Sequence, residues 1–279
     1  MSEALKTPLR PDPETAALNE LDLMLPDLFH DDYHVKVFER LRAEDPIYRQ
    51  EVEEIGTVWN VTKYQDIMAV DTDHERFSSE GSIVVTDQEE DFPLPMFIAM
   101  DPPKHDRQRR EVNGAVAPRN LAVMEGTIRG RVQKILDDLP VGEAFNWVDL
   151  VSIELTTQML ATLFDVPQED RMKLVGWSDT IQNINDPEVF ETPEQGFQEL
   201  FECLAYFTEY YEARKQEPPK FDLISMLAHD ESTNNMTPQE LLGNIVLLIV
   251  GGNDTTRNSI SGGVLALNKN PDQYEKLLQ

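Results

Sequence analysis

The six residues 251–256, Gly-Gly-Asn-Asp-Thr-Thr, have the types and spacing that most clearly suit chemistry. They follow a segment from Leu241 to Val250 that is apolar on almost every side, which is typical of a buried helix. Two adjacent glycines weaken a helix by about 1 kcal/mol each relative to alanine, and buried polar groups need hydrogen-bonding partners. A weakened helix that carries an acid, Asp254, and an alcohol, Thr255, into the core indicates a functional site.

These residues allow two interpretations. In the first, the glycines let a flat group approach the helix backbone closely, and Asp254 and Thr255 act on what binds there. In the second, the segment is a kinked core helix in which Asp254 and Thr255 satisfy each other. A threonine hydroxyl that bonds back to a carbonyl one turn earlier would bend such a helix. The residue types alone favour neither.

A second pattern lies at residues 101–110, Asp-Pro-Pro-Lys-His-Asp-Arg-Gln-Arg-Arg. His105 and Arg109 are four residues apart, so they share one face of a helix. Such a pair suits a carboxylate or phosphate ligand, because arginine presents a fork of donors and histidine adds another. The alternative is solvated surface charge, with a salt bridge to Asp106 or Glu111.

The elements that must position these residues are mostly helices. Proline-rich residues 1–30 predict an irregular surface arm, and alternation around Gly56 predicts a β-hairpin at 47–52 and 57–61. Residues 73–100 predict a long loop with a lid or binding function. Periodicity and capping signals predict helices at about 31–44, 63–71, 102–116, 120–138, 147–164, 168–182, 194–216, 221–229 and 238–268, and another from 271. A capping box, Thr237 with Glu240, begins the longest helix.

Composition and charge exclude several classes of protein. The chain of 279 residues has 52 acidic and 24 basic residues and a net charge of −28, so it has no global basic footprint for nucleic acid or an anionic membrane. Its single cysteine excludes an internal disulfide framework and a cysteine-based zinc site, and fits a reducing compartment. The longest apolar stretch, residues 245–250, is too short to span a bilayer, and the N-terminus has no signal-peptide pattern. We therefore expect a cytoplasmic protein with no transmembrane segment.

Both patterns resemble motifs of the cytochrome P450 family of haem-thiolate monooxygenases. Residues 251–256 match the motif Ala/Gly-Gly-x-Asp/Glu-Thr-Thr/Ser of the family's distal helix, which crosses the haem face where oxygen binds. Residues 101–109 resemble Asp-Pro-Pro-x-His-x-x-x-Arg, whose His and Arg, here His105 and Arg109, bind the haem propionates. The two motifs occur in the family's order. The resemblance implies a mainly α cytochrome P450 fold with a small β-hairpin, over residues 31–279 after the arm.

The resemblance also implies a haem b cofactor and a role for each residue of the distal motif. Thr255 would donate a hydrogen bond at the oxygen-binding face. Asp254 would help to deliver protons there through side-chain rotation and water. Gly251 and Gly252 would make room above the haem for oxygen and substrate.

The axial cysteine that a cytochrome P450 needs is missing from these residues. In the family it follows the distal helix, in Phe-x-x-Gly-x-x-x-Cys-x-Gly, whereas the sole cysteine here, Cys203, lies earlier and lacks both glycines. Its surroundings predict an amphipathic helix and an ordinary half-buried thiol. The sequence also stops in mid-helix, with no capping signal. We therefore expect a truncated cytochrome P450 with no metal ligand of its own, whose axial cysteine lies beyond Gln279 and which is inactive alone.

The apolar loop at residues 93–100 suggests an apolar substrate, and so do residues 83–85. Residues 94–105 resemble the soluble bacterial alkane terminal hydroxylases, which oxidise the end methyl of medium-chain alkanes. The resemblance implies that such an alkane, or a fatty acid, is hydroxylated with O2. Three residues are assigned to the substrate pocket: Met96, Phe97 and Leu247.

Residues 101–134 form a basic island in an acidic chain, with eight basic and four acidic side chains. In the family this region borders the proximal face, where an acidic electron-transfer partner docks. The basic residues would attract such a partner electrostatically. The resemblance implies that NAD(P)H supplies electrons through a ferredoxin reductase and a ferredoxin. Chance clustering of the basic residues is the alternative.

Two other functions compete with the monooxygenase. One is a non-catalytic helical remnant or binding module that no longer holds haem. The other is a helical ligand-sensing regulator, which would need a helix-turn-helix with a basic recognition helix, and the sequence shows none. The reading frame past Gln279 distinguishes the remnant from the enzyme, because only the enzyme continues to the cysteine motif.

Overall fold

The structure is a computed structural model that describes residues 10–53, 55–85 and 93–279. The chain divides into two compact units, residues 1–88 and 89–279. Among the described residues, helices dominate and the one sheet has two antiparallel strands. The predicted mainly α class with a small β-hairpin is confirmed. The predicted domain boundary at residue 31 stays a prediction.

The first unit is built from short elements. They are 3-10 helices at Leu18–Glu20 and Pro26–Asp32, then α1 (Tyr33–Glu44), β1 (Ile47–Val52), β2 (Gly56–Val61) and α2 (Tyr64–Asp71). The predicted arm is less irregular than its prolines suggest, because three of its leucines are buried against α1: Leu21, Leu23 and Leu28. The predicted cap of α1 also differs, since Asp32 is left-handed, with a φ of 57°, and its side chain makes no capping hydrogen bond.

The β-hairpin lies where alternation predicts it. Ile47 pairs with Val61 at the open end, and Val52 pairs with Gly56 next to the turn. Gly56 has a φ of +93°, a left-handed conformation that glycine adopts without strain. The tight turn therefore depends on this glycine.

The second unit is almost entirely helical. Its helices are α3 (Lys104–Asn113), α4 (Pro118–Asp137), α5 (Glu154–Phe164), α6 (Arg171–Asn183), α7 (Pro193–Lys215), α8 (Leu223–His229), α9 (Pro238–Lys269) and α10 (Pro271–Leu277). Short 3-10 helices lie at Phe97–Ala99, Gly114–Val116 and Gln168–Asp170, and a π-helix at Val148–Ile153 leads into α5. Among the described residues, no helix combines the length and apolar character needed to cross a membrane.

The core of the second unit surrounds the first half of α9. Leu242, Ile245 and Ile249 of α9 are almost fully buried, together with Phe164 of α5 and Phe207 of α7. The helix begins as predicted, because the Thr237 side chain accepts a hydrogen bond from the backbone N–H of Glu240 at 3.2 Å. It then continues to Lys269 without interruption at the two glycines. The buried part of α9 thus carries the 251–256 motif at its end.

Candidate active site

Asp254 is a buried carboxylate in the middle of α9, with 6% of its surface exposed. Ser178 of α6 donates a hydrogen bond to its Oδ2 at 3.2 Å, and Gln182 of α6 donates to the same oxygen. Arg257, one turn later in α9, forms an ion pair with its Oδ1. Since both oxygens have partners, the carboxylate is held on the α6 side of the helix.

Arg257 connects Asp254 to a second carboxylate, that of Asp179 in α6. Its guanidinium lies 3.7 Å from Asp179 Oδ1, and its side chain is only 16% exposed. Partial burial raises the pKa of Asp179; the Arg257 charge opposes this rise and the Asp254 charge adds to it. The three groups form a charged chain that runs from the interior of α9 to the exposed carboxylate of Asp179.

Thr255 follows Asp254 directly, but its side chain has a different environment. Its hydroxyl donates a 2.8 Å hydrogen bond to the carbonyl oxygen of Gly251, and the residue is exposed. Successive helical residues are rotated by about 100°, so the acid and the alcohol point to different sides. The interpretation in which Asp254 and Thr255 satisfy each other is therefore wrong.

The two glycines of the motif also face different surroundings. A Cβ added to Gly251 would meet no atom within 4 Å, whereas a Cβ added to Gly252 would lie 2.7 Å from Leu160 Cδ2 in α5. Gly251 thus opens the same exposed side of α9 as Thr255. Gly252 lets α5 and α9 approach closely. The prediction that both glycines make room for a cofactor stays a prediction, with direct geometric support at Gly251.

Asn253 is a buried polar residue of α9 that sequence reasoning missed. It is fully buried, its Oδ1 accepts a 2.9 Å hydrogen bond from Thr156 of α5, and its Nδ2 has no partner among the described residues. In the π-helix that precedes α5, the Ser152 hydroxyl lies 2.8 Å from the Ser261 hydroxyl of α9. The signal that could have found Asn253 is an amide shortly after a mostly apolar run in the same helix.

The candidate anion-binding residues lie in α3, as predicted. His105 Nδ1 lies 3.0 Å from Asp106 Oδ1, which is the surface contact that the alternative interpretation expected for histidine. Arg109 is exposed, and no described carboxylate forms an ion pair with it. Gln108, the residue before it, is on the buried side of α3 and is 2% exposed. The helix therefore offers Arg109 to a ligand while Gln108 anchors it.

The predicted pocket residues lie in the apolar part of the second unit. Met96 and Phe97 are 7% and 5% exposed, and Leu247 packs against the hydrophobic cluster that contains Phe97. The backbone N–H of Phe97 donates a 2.9 Å hydrogen bond to Asn244 Oδ1 of α9. The structure thus places the loop against α9, and the assignment of these residues to a substrate pocket stays a prediction.

Comparison with known proteins decides the family. The cytochrome P450 family model matches residues 23–279. The chain belongs to the cytochrome P450 family. Linalool 8-monooxygenase of Pseudomonas putida is 31% identical over 270 residues, which are 92% of this chain and 66% of that protein. The methyl-branched lipid omega-hydroxylase of Mycobacterium tuberculosis is 30% identical over 258 residues, 88% of this chain and 60% of that protein.

Solved structures of the family agree in fold. Cytochrome P450-153 of Novosphingobium aromaticivorans is 45% identical with a TM-score of 0.81, over 90% of this chain and 64% of that chain. CYP153D17 of Sphingomonas sp. PAMC 26605 is 43% identical with a TM-score of 0.82, at the same coverage. The predicted cytochrome P450 fold is confirmed. The chain spans about two thirds of the length of these relatives.

The family implies haem, and the residues present fit it in part. The open side of Gly251 leaves space for a flat group beside α9, and the exposed Arg109 has donors free for a propionate. Cys203 does not fit the iron. It is fully buried in α7 rather than half-buried as predicted, because Leu200 and Phe207 share its face, and burial raises the pKa of its thiol. Cys203 is therefore unsuited to bind the iron, and the assignment of His105, Arg109 and Gly251 to haem stays a prediction.

Proposed function

We propose that this chain provides the oxygen-binding side of a haem-dependent monooxygenase that hydroxylates an apolar substrate. The observation that carries the proposal is that two consecutive residues of α9, Asp254 and Thr255, have different environments. Asp254 is buried and linked through Arg257 to the exposed Asp179, while Thr255 presents a hydroxyl on the open side beside Gly251. The overall reaction is R–H plus O2, two electrons and two protons, which gives R–OH and water.

The residues of α9 supply and hold protons in this proposal, and haem, when bound, supplies the oxygen-activating chemistry. Asp254 takes up a proton on the α6 side, where its oxygens contact Gln182 and Arg257. Rotation of its side chain, with water, passes the proton towards Thr255. The Thr255 hydroxyl is held by the Gly251 carbonyl until a better acceptor is present on the open side.

His105 and Arg109 hold the haem propionates in this proposal. Arg109 offers an exposed guanidinium, and His105 lies one turn earlier on the same helix. His105 would exchange its contact with Asp106 for a contact with a propionate. The thiolate ligand would come from a later part of the complete protein, because Cys203 of α7 is enclosed in the hydrophobic core.

The substrate class we propose is a medium-chain alkane or fatty acid, hydroxylated at the terminal methyl. The loop at 94–100 is apolar and packs on the distal helix through Phe97. The relatives include a methyl-branched lipid omega-hydroxylase and two CYP153 proteins, at 43–45% identity for the latter. The lipid omega-hydroxylase supports an apolar chain that is oxidised at its end. The choice of an unbranched chain rests on the resemblance of residues 94–105 to the alkane terminal hydroxylases.

The electron donors we propose are a ferredoxin and its reductase, supplied by NAD(P)H in the cytoplasm. Arg107, Arg110 and Arg119 are exposed, and no carboxylate among the described residues forms a salt bridge with them. Lys104 and Arg129, by contrast, already pair with Glu240 and Glu125. The free arginines therefore provide a basic surface for an acidic partner.

The test uses the complete gene product that contains these residues, hereafter the complete protein. Expressed with haem and reduced under carbon monoxide, it should give a thiolate-type difference spectrum and should hydroxylate octane with a ferredoxin and its reductase. A thiolate spectrum without turnover of any apolar substrate would contradict the proposed reaction. A protein that takes up no haem would support the alternative, a non-catalytic remnant or binding module.

A further inference from the structure

Two consecutive residues of α9, Gly243 and Asn244, hold the backbone of the 94–100 loop. A Cβ on Gly243 would lie 2.2 Å from the carbonyl oxygen of Pro95, so only glycine allows this approach. Asn244 is fully buried, and its Oδ1 accepts the 2.9 Å hydrogen bond from the Phe97 N–H. The loop is therefore fixed at two neighbouring points on one helix.

The other end of the Asn244 amide connects to α3. Its Nδ2 donates to Gln108 Oε1 at 3.3 Å, and Gln108 Nε2 donates to Glu240 Oε1 at 2.7 Å. The same Glu240 oxygen lies 2.9 Å from Lys104 Nζ. The Glu240 carboxylate thus faces α3 instead of closing the predicted capping box. We call the two hydrogen bonds that Asn244 makes, one accepted from the Phe97 N–H and one donated to Gln108, the Asn244 bridge.

The buried amides of this bridge destabilise the folded state unless each of them has hydrogen-bonding partners. Asn244 and Gln108 are 0% and 2% exposed, and a buried amide without partners loses its hydration with no compensation. Apolar side chains of equal size would fill the same space without that requirement. The amides instead specify one position of the Phe97 backbone relative to α9, which apolar contacts do not specify.

We propose that Asn244, seated beside Gly243, is a positioning residue that sets where an apolar substrate is oxidised. It fixes the position, along the axis of α9, of the loop that carries Met96 and Phe97. This position determines the apolar surface that a hydrocarbon chain would contact. The proposal rests on the proposed function for its substrate. The bridge itself rests only on the contacts of the described residues.

The experiment compares two variants of the complete, haem-loaded protein that disturb the loop by different routes. Asn244→Ala removes the acceptor for the Phe97 N–H, and Gly243→Ala pushes on the Pro95 carbonyl while it leaves the amide in place. The matched controls are on the same helix. Asn268→Ala removes an exposed amide that bonds only to the Val264 carbonyl, and Gly262→Ala adds a Cβ that meets no atom within 4 Å.

Two readouts are expected to change together. Hydrogen exchange at the Phe97 amide should become about tenfold faster in Asn244→Ala, as expected for the loss of one hydrogen bond. The alcohols formed from octane should shift from terminal to subterminal positions in both variants, with a rise in KM larger than the change in kcat. Both controls should match the wild type.

Each contrary result has a distinct meaning. Unchanged exchange at Phe97 in Asn244→Ala would overturn the bridge. Faster exchange with an unchanged product distribution and KM would overturn the role in substrate positioning. Failure of Asn244→Ala to fold leaves Gly243→Ala to decide, because it keeps both amides. If the wild type oxidises no apolar substrate, the proposed function fails and the positioning role fails with it, whereas Phe97 exchange still reports on the bridge.

Discussion

The Thr255 hydroxyl donates to the carbonyl oxygen of Gly251, one turn earlier in α9, at 2.8 Å. That carbonyl already accepts a backbone hydrogen bond within the helix, so the hydroxyl can leave it at low cost. The Thr255 hydroxyl can therefore donate instead to another acceptor on the open side of the helix. Ser259 makes the same kind of bond to the carbonyl oxygen of Thr255, so the bond alone does not distinguish Thr255. Its distinguishing feature is its place beside the open side of Gly251.

Replacement of this hydroxyl should separate electron use from hydroxylation. In Thr255→Ala the complete protein should consume NAD(P)H at a rate near that of the wild type but form much less alcohol per NAD(P)H, because the donor on the open side is gone. Thr255→Ser keeps the hydroxyl and should retain most of the coupling. Equal yields of alcohol per NAD(P)H in Thr255→Ala and wild type would remove the role assigned to this residue.

Loss of the buried carboxylate should slow the proton-dependent part of the reaction. Asp254→Asn keeps the shape but not the charge, and we expect hydroxylation to fall on the order of 10²-fold, with a larger solvent deuterium isotope effect. Asp179→Asn changes an exposed carboxylate 3.7 Å from the same Arg257 and should have a much smaller effect. An isotope effect identical in all three proteins would contradict proton delivery by Asp254.

The two motif glycines should respond oppositely to alanine. Gly252→Ala places a methyl 2.7 Å from Leu160 Cδ2, so overpacking should destabilise the complete protein by about 1–2 kcal/mol net of the better helix propensity. Gly251→Ala meets no atom and should stabilise the haem-free protein by up to about 1 kcal/mol, yet weaken haem binding. Urea unfolding and haem titration measure both effects. Haem affinity unchanged in Gly251→Ala would place the haem elsewhere.

A buried ion network at the end of α7 should be essential for stability. Arg214 is 7% exposed, its guanidinium lies 2.7 Å from Asp165 Oδ2 and 3.0 Å from Glu217 Oε2, and Asp222 Oδ2 is 3.8 Å away. Arg214→Met would leave the buried Asp222 with only Lys220 as a nearby cation, at a cost of about 3–5 kcal/mol in urea unfolding. Arg129→Met breaks only an exposed pair with Glu125 and should cost less than about 1 kcal/mol. Equal costs for the two variants would disprove this assignment.

The pH dependence of stability should include a contribution from Glu111. Burial raises the pKa of Glu111, and its hydrogen bond to Asp230 adds to the rise. The folded state therefore holds this proton to higher pH than the unfolded state, so stability falls as pH increases from about 4.5, the ordinary glutamate value, through the raised pKa. Glu111→Gln removes this fall.

The measurement is the difference in urea midpoint between wild type and Glu111→Gln, which should move in favour of the variant between about pH 4 and pH 7. Glu125→Gln, at an exposed position, serves as the control for the general effect of one less negative charge. A difference that stays constant over this range would show that Glu111 does not titrate in the folded protein as described.

Local patterns were sufficient for the elements and for the motif residues. Pro238 and Pro271 mark the first turn of α9 and α10, and each helix begins there. At α4 the boundary differs, because the helix was expected from about residue 120 and begins at Pro118 itself. The same local logic identified Thr255, whose back-bond to Gly251 joins residues four apart. Such features depend on neighbours in sequence, so the sequence contains the information needed to predict them.

The partners of the motif could not be predicted in this way. Asn244 and Phe97 are separated by 147 residues, and Asp254 and Gln182 by 72, so only the packing of α9 on other elements brings them together. Cys203 shows the same limit, since a half-buried thiol was expected and α7 is covered on that face by the core. The amides at 108, 244 and 253 are ordinary residues until the fold buries them.

The most direct test of the account is the origin of the oxygen atom in the product. The complete protein, supplied with haem, ferredoxin, ferredoxin reductase and NAD(P)H, is incubated with octane under oxygen gas enriched in a heavy isotope. The account predicts a terminal alcohol that carries one heavy atom from the gas, with the other reduced to water. Alcohol labelled from water instead, or no labelled product from octane or from a fatty acid, would contradict it.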